Sequence, residues 1–524
     1  MRKRIVAFFL AAALLLSLVG CEEKSKSLRF DLTMPISSLD PQFTTDENAK
    51  RLLRNVMEGL LVELPDGSLA PGVAESYTVS EDGLHYVFSL RQDACWEDGQ
   101  PLTTDDFVFA FQRIFSPQNP SPCAGEFSMI QNADAVLSGT LPISALGVTA
   151  SDDHTLTFSL SEPSPFFLRR LAGCGAMPCN RAFFEETKAR YGLDITFFLA
   201  NGPFDIIKWD YEESIVLEKN DAYWDQSHVF CPLVTFYIGR EDPCTLFLQG
   251  KSDFYLPEYA ELETLYKAGC AVNTRSSAVW GLAFCQLNEN LADLRIRRAL
   301  ASSWDREELL SRLPERYTPT TSFVSDSAML LLSPYHEAAA FPEPLSFDPQ
   351  GAAALLQEAL AATESQPLRG LSLLICESSG LAEAGSYLQK AWQENLLLYI
   401  NLEIVPDDEF RRRLTAGEYT LALAPLADPS SDAQNCLSAF SSGDPGNFFF
   451  YSDPDFDALL TAAVTQTDAA GAVYCYTQAE TYLIQTAAAV PLLIQPVYYS
   501  VGEGVSPIEA FSDQGFYLKS VVRD

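Results

Sequence analysis

The chain has 524 residues, with 35 Lys and Arg against 70 Asp and Glu, a formal net charge of −35 and 47% hydrophobic residues. That length exceeds what one hydrophobic core organises, so two or three domains are expected. The acidity argues against a general affinity for nucleic acid or anionic lipid surfaces, and the apolar content excludes a disordered chain.

At the N-terminus, Arg2, Lys3 and Arg4 precede an apolar run over 5–20 that is interrupted only by Ser17. The run falls short of the roughly 20 residues a membrane span needs and reads as a secretory leader. It ends in Leu18-Val19-Gly20-Cys21. That ending resembles the bacterial lipobox, in which the thiol takes a diacylglyceryl group and cleavage leaves the Cys first. Residues 1–20 are therefore expected to be a lipoprotein signal peptide, Cys21 the lipid anchor and 21–27 a tether, with the body at the outer face of the cytoplasmic membrane. The alternative is an ordinary leader that happens to precede a Cys. Of the 12 cysteines, setting Cys21 aside leaves an odd number, so not all can pair internally. Cys174 and Cys179 are close enough for a loop disulfide. No second Cys or His pair accompanies them, and His85, His154, His228 and His336 are scattered, so neither a metal nor a cofactor is expected.

The elements follow in chain order. A short strand is expected over 28–33, then a helix over 49–61 that stops near Glu58-Gly59, and a turn at Pro65-Asp66-Gly67. Over 84–90, Leu84, Tyr86, Phe88 and Leu90 alternate with more polar residues, the pattern of a half-buried strand. The run WEDGQPLTTDDFVFAFQR from Trp96 joins a turn to an amphipathic helix. Thr103 and Asp106 have capping-box spacing, and Phe107, Val108, Phe111, Ile114 and Phe115 form one face. Residues 154–160 repeat the alternating strand, so a small α+β unit is expected. Strands over 204–209 and 214–219 pair through a turn, and 234–238 adds another. From about Leu282 the pattern becomes β/α alternation, which indicates an α/β lobe. It comprises a broken helix over 294–309, helices over 348–362, 382–397 and 474–486, and strands over 371–376, 402–405 and 419–424. Asp453 or Ser452 caps a further helix whose first turn contains Pro454. Strands are expected to return over 491–501 and 515–522.

One ordered set of segments spans nearly the whole chain: LDP at Leu39, EGLL at Glu58, PGVAESY at Pro71, SEDGLHYVFSLR at Ser80 and the Trp96 run. SEPSPFF follows at Ser161, NGPFDIIKWDYEESIVLEKNDAYWD at Asn201, RIRRALASSWDREEL at Arg295, SDPDFDALL at Ser452 and VPLLIQPVYYS at Val490. In this order they resemble the family 5 extracellular solute-binding proteins of ABC transporters, with the oligopeptide-binding members most similar. The resemblance implies a two-lobed, hinged clamp of three domains with domain I discontinuous. The divisions would be 28–66, 191–275 and 489–524 for domain I, 67–190 for the inserted α+β domain II, and 276–488 for the α/β domain III.

That resemblance implies a peptide ligand, delivery to membrane permease subunits and action as a monomer. Main-chain strand addition can read any peptide, and a buried ammonium needs a carboxylate. By family position the ammonium partner is Asp428, beside Ala427, at the end of YTLALAPLAD; Asp432 is a rival. Pro425 in that stretch has no N–H to donate to a ligand. Thr45 falls where the family's first ligand-contacting edge runs. Trp280 falls where aromatics line the lobe crossover. Cys123 stands where oligopeptide binders usually carry a ligand-facing Tyr. Two alternatives keep the fold: a non-peptide solute such as a nickel complex or oligosaccharide, and a sensor of ligand occupancy. An enzyme is not expected, because no nucleophile elbow, phosphate loop or zinc-protease helix is present.

Overall fold

The computed structural model describes residues 27–32, 35–64, 66–164, 166–330, 333–362, 368, 370–426, 433–444, 446–466, 469–506, 508 and 515–523. The leader, Cys21 and all but the last residue of the tether lie outside the described residues. The chain enters through strand β1 (Leu28–Leu32) and helix α1 (Glu47–Val56). Helix α1 starts two residues before the sequence suggests and ends just before the expected stop at Glu58-Gly59. Asp46 caps its start, accepting from Asn48 N at 2.8 Å. At its end Gly202 takes the Val56 carbonyl at 3.0 Å, and a Cβ on Gly202 would sit 2.6 Å from Met57 N, so the chain turns away there.

Strands β2 (Ala74–Val79) and β3 (His85–Leu90), helix α2 (Thr104–Ile114), and strands β4 (Val148–Asp152) and β5 (Thr155–Ser159) form the expected α+β unit. Its sheet is antiparallel in the order β2-β3-β5-β4. Tyr86, Phe88 and Leu90 face inward, and Phe107, Phe111 and Ile114 of α2, with Phe115 just past its end, are buried against them. Thr103 N donates to Asp106 at 2.8 Å, the carboxylate half of the capping box.

Strands β6 (Phe204–Asp210), β7 (Ser214–Lys219) and β8 (Leu233–Ile238) return to β1, in the order β1-β8-β7-β6 with β1 parallel to β8. One core unites this sheet, the α+β unit and the C-terminal Phe516, Leu518 and Val521. Phe30 stacks on Phe236 and on Phe516 with ring centroids 5.2 and 4.8 Å apart. Sequence reading places a strand over 515–522, but only Val522–Arg523 is one. Phe516 and Leu518 are satisfied by burial as coil.

The second lobe is built on a seven-stranded sheet. Its strands are β9 (Phe254–Tyr255), β10 (Asn273–Phe284), β11 (Ser372–Cys376), β12 (Asn401–Val405), β13 (Leu421–Pro425) and β14 (Ala489–Val501), in the order β9-β14-β10-β13-β11-β12, with Thr318–Pro319 also on β14. Helices α3 (Leu294–Ser302), α4 (Pro349–Ala362) and α5 (Ala382–Leu396) cover one face. Helices α6 (Pro454–Val464, capped by Asp453) and α7 (Ala469–Gln485) cover the other. The long antiparallel pair β10 and β14 runs from one lobe into the other and forms the crossover.

Buried polar groups tie the first lobe together. The Glu58 carboxylate accepts from Tyr223 Oη and, at 2.7 Å, from Trp224 Nε1. Asn201 Nδ2 donates to Glu58 O at 2.8 Å, and Glu58 N donates to Asn201 Oδ1 at 3.1 Å. Thus EGLL, NGPF and NDAYW meet at one point. Cys174 and Cys179 do not form the expected loop disulfide. The Cys179 sulfur accepts from Arg113 Nη1 at 3.4 Å, and Cys174 Sγ donates to Lys50 O at 3.6 Å.

Candidate functional site: the edge and cavity at the lobe crossover

The first edge is set by Asp40. Its buried carboxylate pairs with the Arg113 guanidinium of α2 and accepts from Gln42 N at 3.2 Å. Burial pushes this carboxyl above its ordinary range, although Arg113 pulls it down. Phe184 and Tyr191 wrap the guanidinium, with ring centroids 4.2 and 5.1 Å away. The chain leaves this anchor at Gln42 and reaches the next at Asp46. Thr45 lies between them, exposed.

Cys123 packs against the same anchor. Its sulfur is 3.0 Å from Ser121 Oγ and 3.6 Å from Gln42 O. A Cβ on Gly175 would come within 2.9 Å of that sulfur, so the backbone of 175 approaches because it carries no side chain. Burial pushes the Cys123 thiol up to about 11, so it is neutral at ordinary pH. Thr45 and Cys123 therefore both belong to the neighbourhood of Gln42 in the first lobe.

Trp280 lies on the crossover. In β10 it registers with Pro425 of β13 on one side and with Leu493 of β14 on the other. Its ring is half-buried, and its Nε1, shut off from solvent, has no acceptor among the described residues. The parallel ladder between β13 and β11 ends at Leu423, opposite Ile375. Strand β13 continues two residues further, Ala424 and Pro425, paired only with β10 among the described residues. On its other side β13 has no ladder partner there among the described residues, and Ala424 is buried in the second-lobe core. Pro425 fits this terminal position because no ladder donor is required of it. Leu426 N donates to Val279 O at 2.7 Å. Ala427, Asp428 and the rival Asp432, which continue the segment, lie outside the described residues.

Beside Trp280 is a cavity of about 200 Å³ with walls from both lobes. Residues 256–259 come from the first. Arg316, Ser378 and Ser379 come from the second, and residues 495–498 of β14 line the floor. Cavities of about 900 Å³ beside Asn447 and about 950 Å³ beside Asp253 are larger, but each lies within one lobe. At another point the lobes touch directly. Arg170 Nη2 donates to Asn435 Oδ1 at 2.7 Å, and Phe166 meets Tyr476 edge-on at 5.8 Å. Sequence reading found Trp280 but missed Arg316 and Ser379, which sit in no motif of their own, and gave Tyr498 no role although it lies in the VPLLIQPVYYS segment. They are recognised only by the cavity they share. Among the described residues no cluster of side chains could hold a metal ion, and no helix is long and apolar enough to cross a membrane.

Comparison with known proteins gives one consistent result. The model of the bacterial extracellular solute-binding proteins, family 5, matches residues 68–448, well over half the chain. The chain is 28% identical over 481 residues to a periplasmic oligopeptide-binding protein of Salmonella typhimurium, covering 89% of this chain and 86% of that one. It is 28% identical over 473 residues to a probable deoxycholate-binding periplasmic protein of Escherichia coli, covering 88% and 86%. The substrate-binding domain of an oligopeptide ABC transporter from Bacillus anthracis superposes with a TM-score of 0.71 at 25% identity, covering 95% of this chain and 99% of that one.

Proposed function

The chain belongs to the bacterial extracellular solute-binding proteins of family 5, and from that membership we propose that it captures peptides between its lobes and delivers them to an ABC importer. It is a binding protein rather than an enzyme. The observation that carries the peptide reading is the end of β13 at Ala424 and Pro425, past the last rung of its ladder with β11, beside the crossover and followed in sequence by Ala427 and Asp428. An extended guest adds to a strand that lacks a ladder partner through main-chain hydrogen bonds, without regard to its side chains. Asp428 supplies the carboxylate for the guest's ammonium, which would otherwise be buried unpaired. Thr45 offers a facing edge on the first lobe, while Trp280 and the small Cys123 shape the walls. Closure of the lobes encloses the guest and presents one shape to the permease subunits.

The same reading includes a leader over 1–20, a lipid on Cys21, a tether over 21–27, a monomeric body and the domain divisions at 67, 191, 276 and 489. Intact mass of the membrane fraction tests the anchor, because a diacylglyceryl group on Cys21 adds a defined mass that Cys21→Ser removes. A second reading keeps the fold but takes a non-peptide solute. It is favoured by the missing N–H of Pro425, and the deoxycholate-binding relative is consistent with it. Native mass spectrometry of the protein as purified separates the two. Peptides of mixed sequence support the first, and one defined small molecule supports the second. Asp428→Ala is expected to weaken binding of free-amine peptides at least about tenfold and to leave N-acetylated ones unchanged. Equal loss for both kinds would remove the assigned ammonium contact.

A further inference from the structure

Two adjacent phenylalanines face different lobes. Phe167 opens the short helix Phe167–Leu171 and is fully buried in the first-lobe core, its ring 4.9 Å from that of Tyr86 and 5.3 Å from that of Phe158. Phe166, only 1% exposed, belongs instead to the core of the second lobe, where it meets Tyr476 of α7 edge-on. Every other described residue of that core lies between Val279 and Ile494.

The stem that carries Phe166 is fixed to the first lobe. Tyr86 Oη donates to Ser164 O at 3.2 Å. The Arg169 guanidinium donates to Glu63 at 2.8 Å and to Gly67 O at 2.7 Å. Phe166 therefore travels with the first lobe, and its ring has to leave the second-lobe core when the lobes part.

Two other contacts cross between the lobes nearby in the chain. Arg170 Nη2 reaches Asn435 Oδ1 at 2.7 Å, and a Cβ on Gly67 would stand 2.6 Å from Met329 Cγ. The contacts differ in what opening costs. Arg170 and Asn435 exchange each other for water with little net change. Gly67 brings only backbone to Met329. Phe166 and the core it vacates both expose apolar surface, for which water is no substitute. The ring forms no part of the crossover cavity wall.

We infer that Phe166 is a closure latch: a first-lobe ring that seats in the second-lobe core as the lobes meet, so that contacts within the protein, and not solute alone, favour the closed form. Burial of one such ring favours closed over open by about tenfold or more. That factor multiplies whatever preference the solute supplies. Withdrawal of Phe166 becomes a step in solute entry and release. The inference takes lobe closure from the proposed function but is indifferent to whether the solute is a peptide.

The test is small-angle X-ray scattering of the purified protein, freed of retained solute by unfolding and refolding, so its result stands whatever the solute proves to be. In Phe166→Asp the carboxylate cannot be seated in an apolar core, and the radius of gyration should rise above that of the unmodified protein. Phe166→Leu keeps an apolar side chain and should stay close to the unmodified value, with Phe166→Ala at or between the two. A cooperative circular dichroism melt in each variant is expected, because the ring joins two lobes that each have a core of their own. An unchanged radius of gyration in Phe166→Asp overturns the inference. Loss of the cooperative melt in both Phe166→Asp and Phe166→Ala overturns it as well, since the ring would then be required for folding and not for closure.

Discussion

The buried carboxylates Glu58 and Asp40 of the first lobe and the donors of the crossover cavity are treated in opposite ways, although Tyr191 Oη beside Asp40 is also unpaired among the described residues. Around Glu58 and Asp40, hydroxyl, indole, guanidinium and amide donors converge on carboxylates that are themselves buried. At the crossover, Trp280 Nε1 and two nitrogens of Arg316 have no protein acceptor among the described residues. A buried donor left without a partner costs roughly 1–3 kcal/mol. The first region is therefore arranged for rigidity, whereas the second holds, in the Arg316 guanidinium, donors that face a cavity.

The largest expected effect breaks the first region. Arg113→Leu strands the Asp40 carboxylate inside the lobe and removes the centre around which Phe184 and Tyr191 pack. Urea unfolding should show a loss of about 3–5 kcal/mol. A loss below about 1 kcal/mol would mean that this anchor contributes little to the lobe.

A smaller effect is read as a pH slope. Glu97, in the turn before α2, faces Asp205 of β6. Burial first, and then Asp205, push Glu97 up to about 8, while burial pushes Asp205 up to about 6. A carboxyl whose native pKa is raised holds a proton that the unfolded chain has released. Its stabilisation is complete below the ordinary carboxylate range and is lost as pH rises through the native value. The melting temperature should therefore fall from pH 5 to pH 8, and Glu97→Gln should flatten that slope. An unchanged slope in the variant would leave only the general repulsion of an acidic body.

The smallest effect lies at the crossover. Trp280→Phe removes an N–H that has no acceptor, which offsets the loss of ring area. Unfolding free energy should change by less than about 1 kcal/mol. A larger loss would show that the indole N–H has a structural partner, and would weaken the contrast between the two regions.

Local patterns were legible in the sequence and pairings were not. The alternation over 84–90 and the Thr103–Asp106 spacing depend on neighbours in the chain, and both are found in place. The crossover strand β10 escaped notice because it begins with Asn273, Thr274 and Arg275 and continues with apolar residues on both faces, so it has no period of two. The alternation of Phe516 and Leu518 suggested a strand where the structure uses coil, because burial against Phe30 requires only that those side chains point inward. Of the site, the family segments located Trp280 and the end of β13. Arg316 was invisible, because what distinguishes it is the cavity it shares, and sequence does not reveal neighbours in space.

The meeting of Phe30 with Phe516 also bears on the order of assembly. Apart from Phe166, the cores of the second lobe draw on one unbroken stretch from Val279 to Ile494. That stretch can collapse as soon as it has been synthesised. The first lobe cannot: its strand β1 waits, with one side of an aromatic ring uncovered, for a residue some 490 positions further along the chain. A nascent chain halted shortly before Phe516 should therefore carry one finished half and one that proteases can still enter.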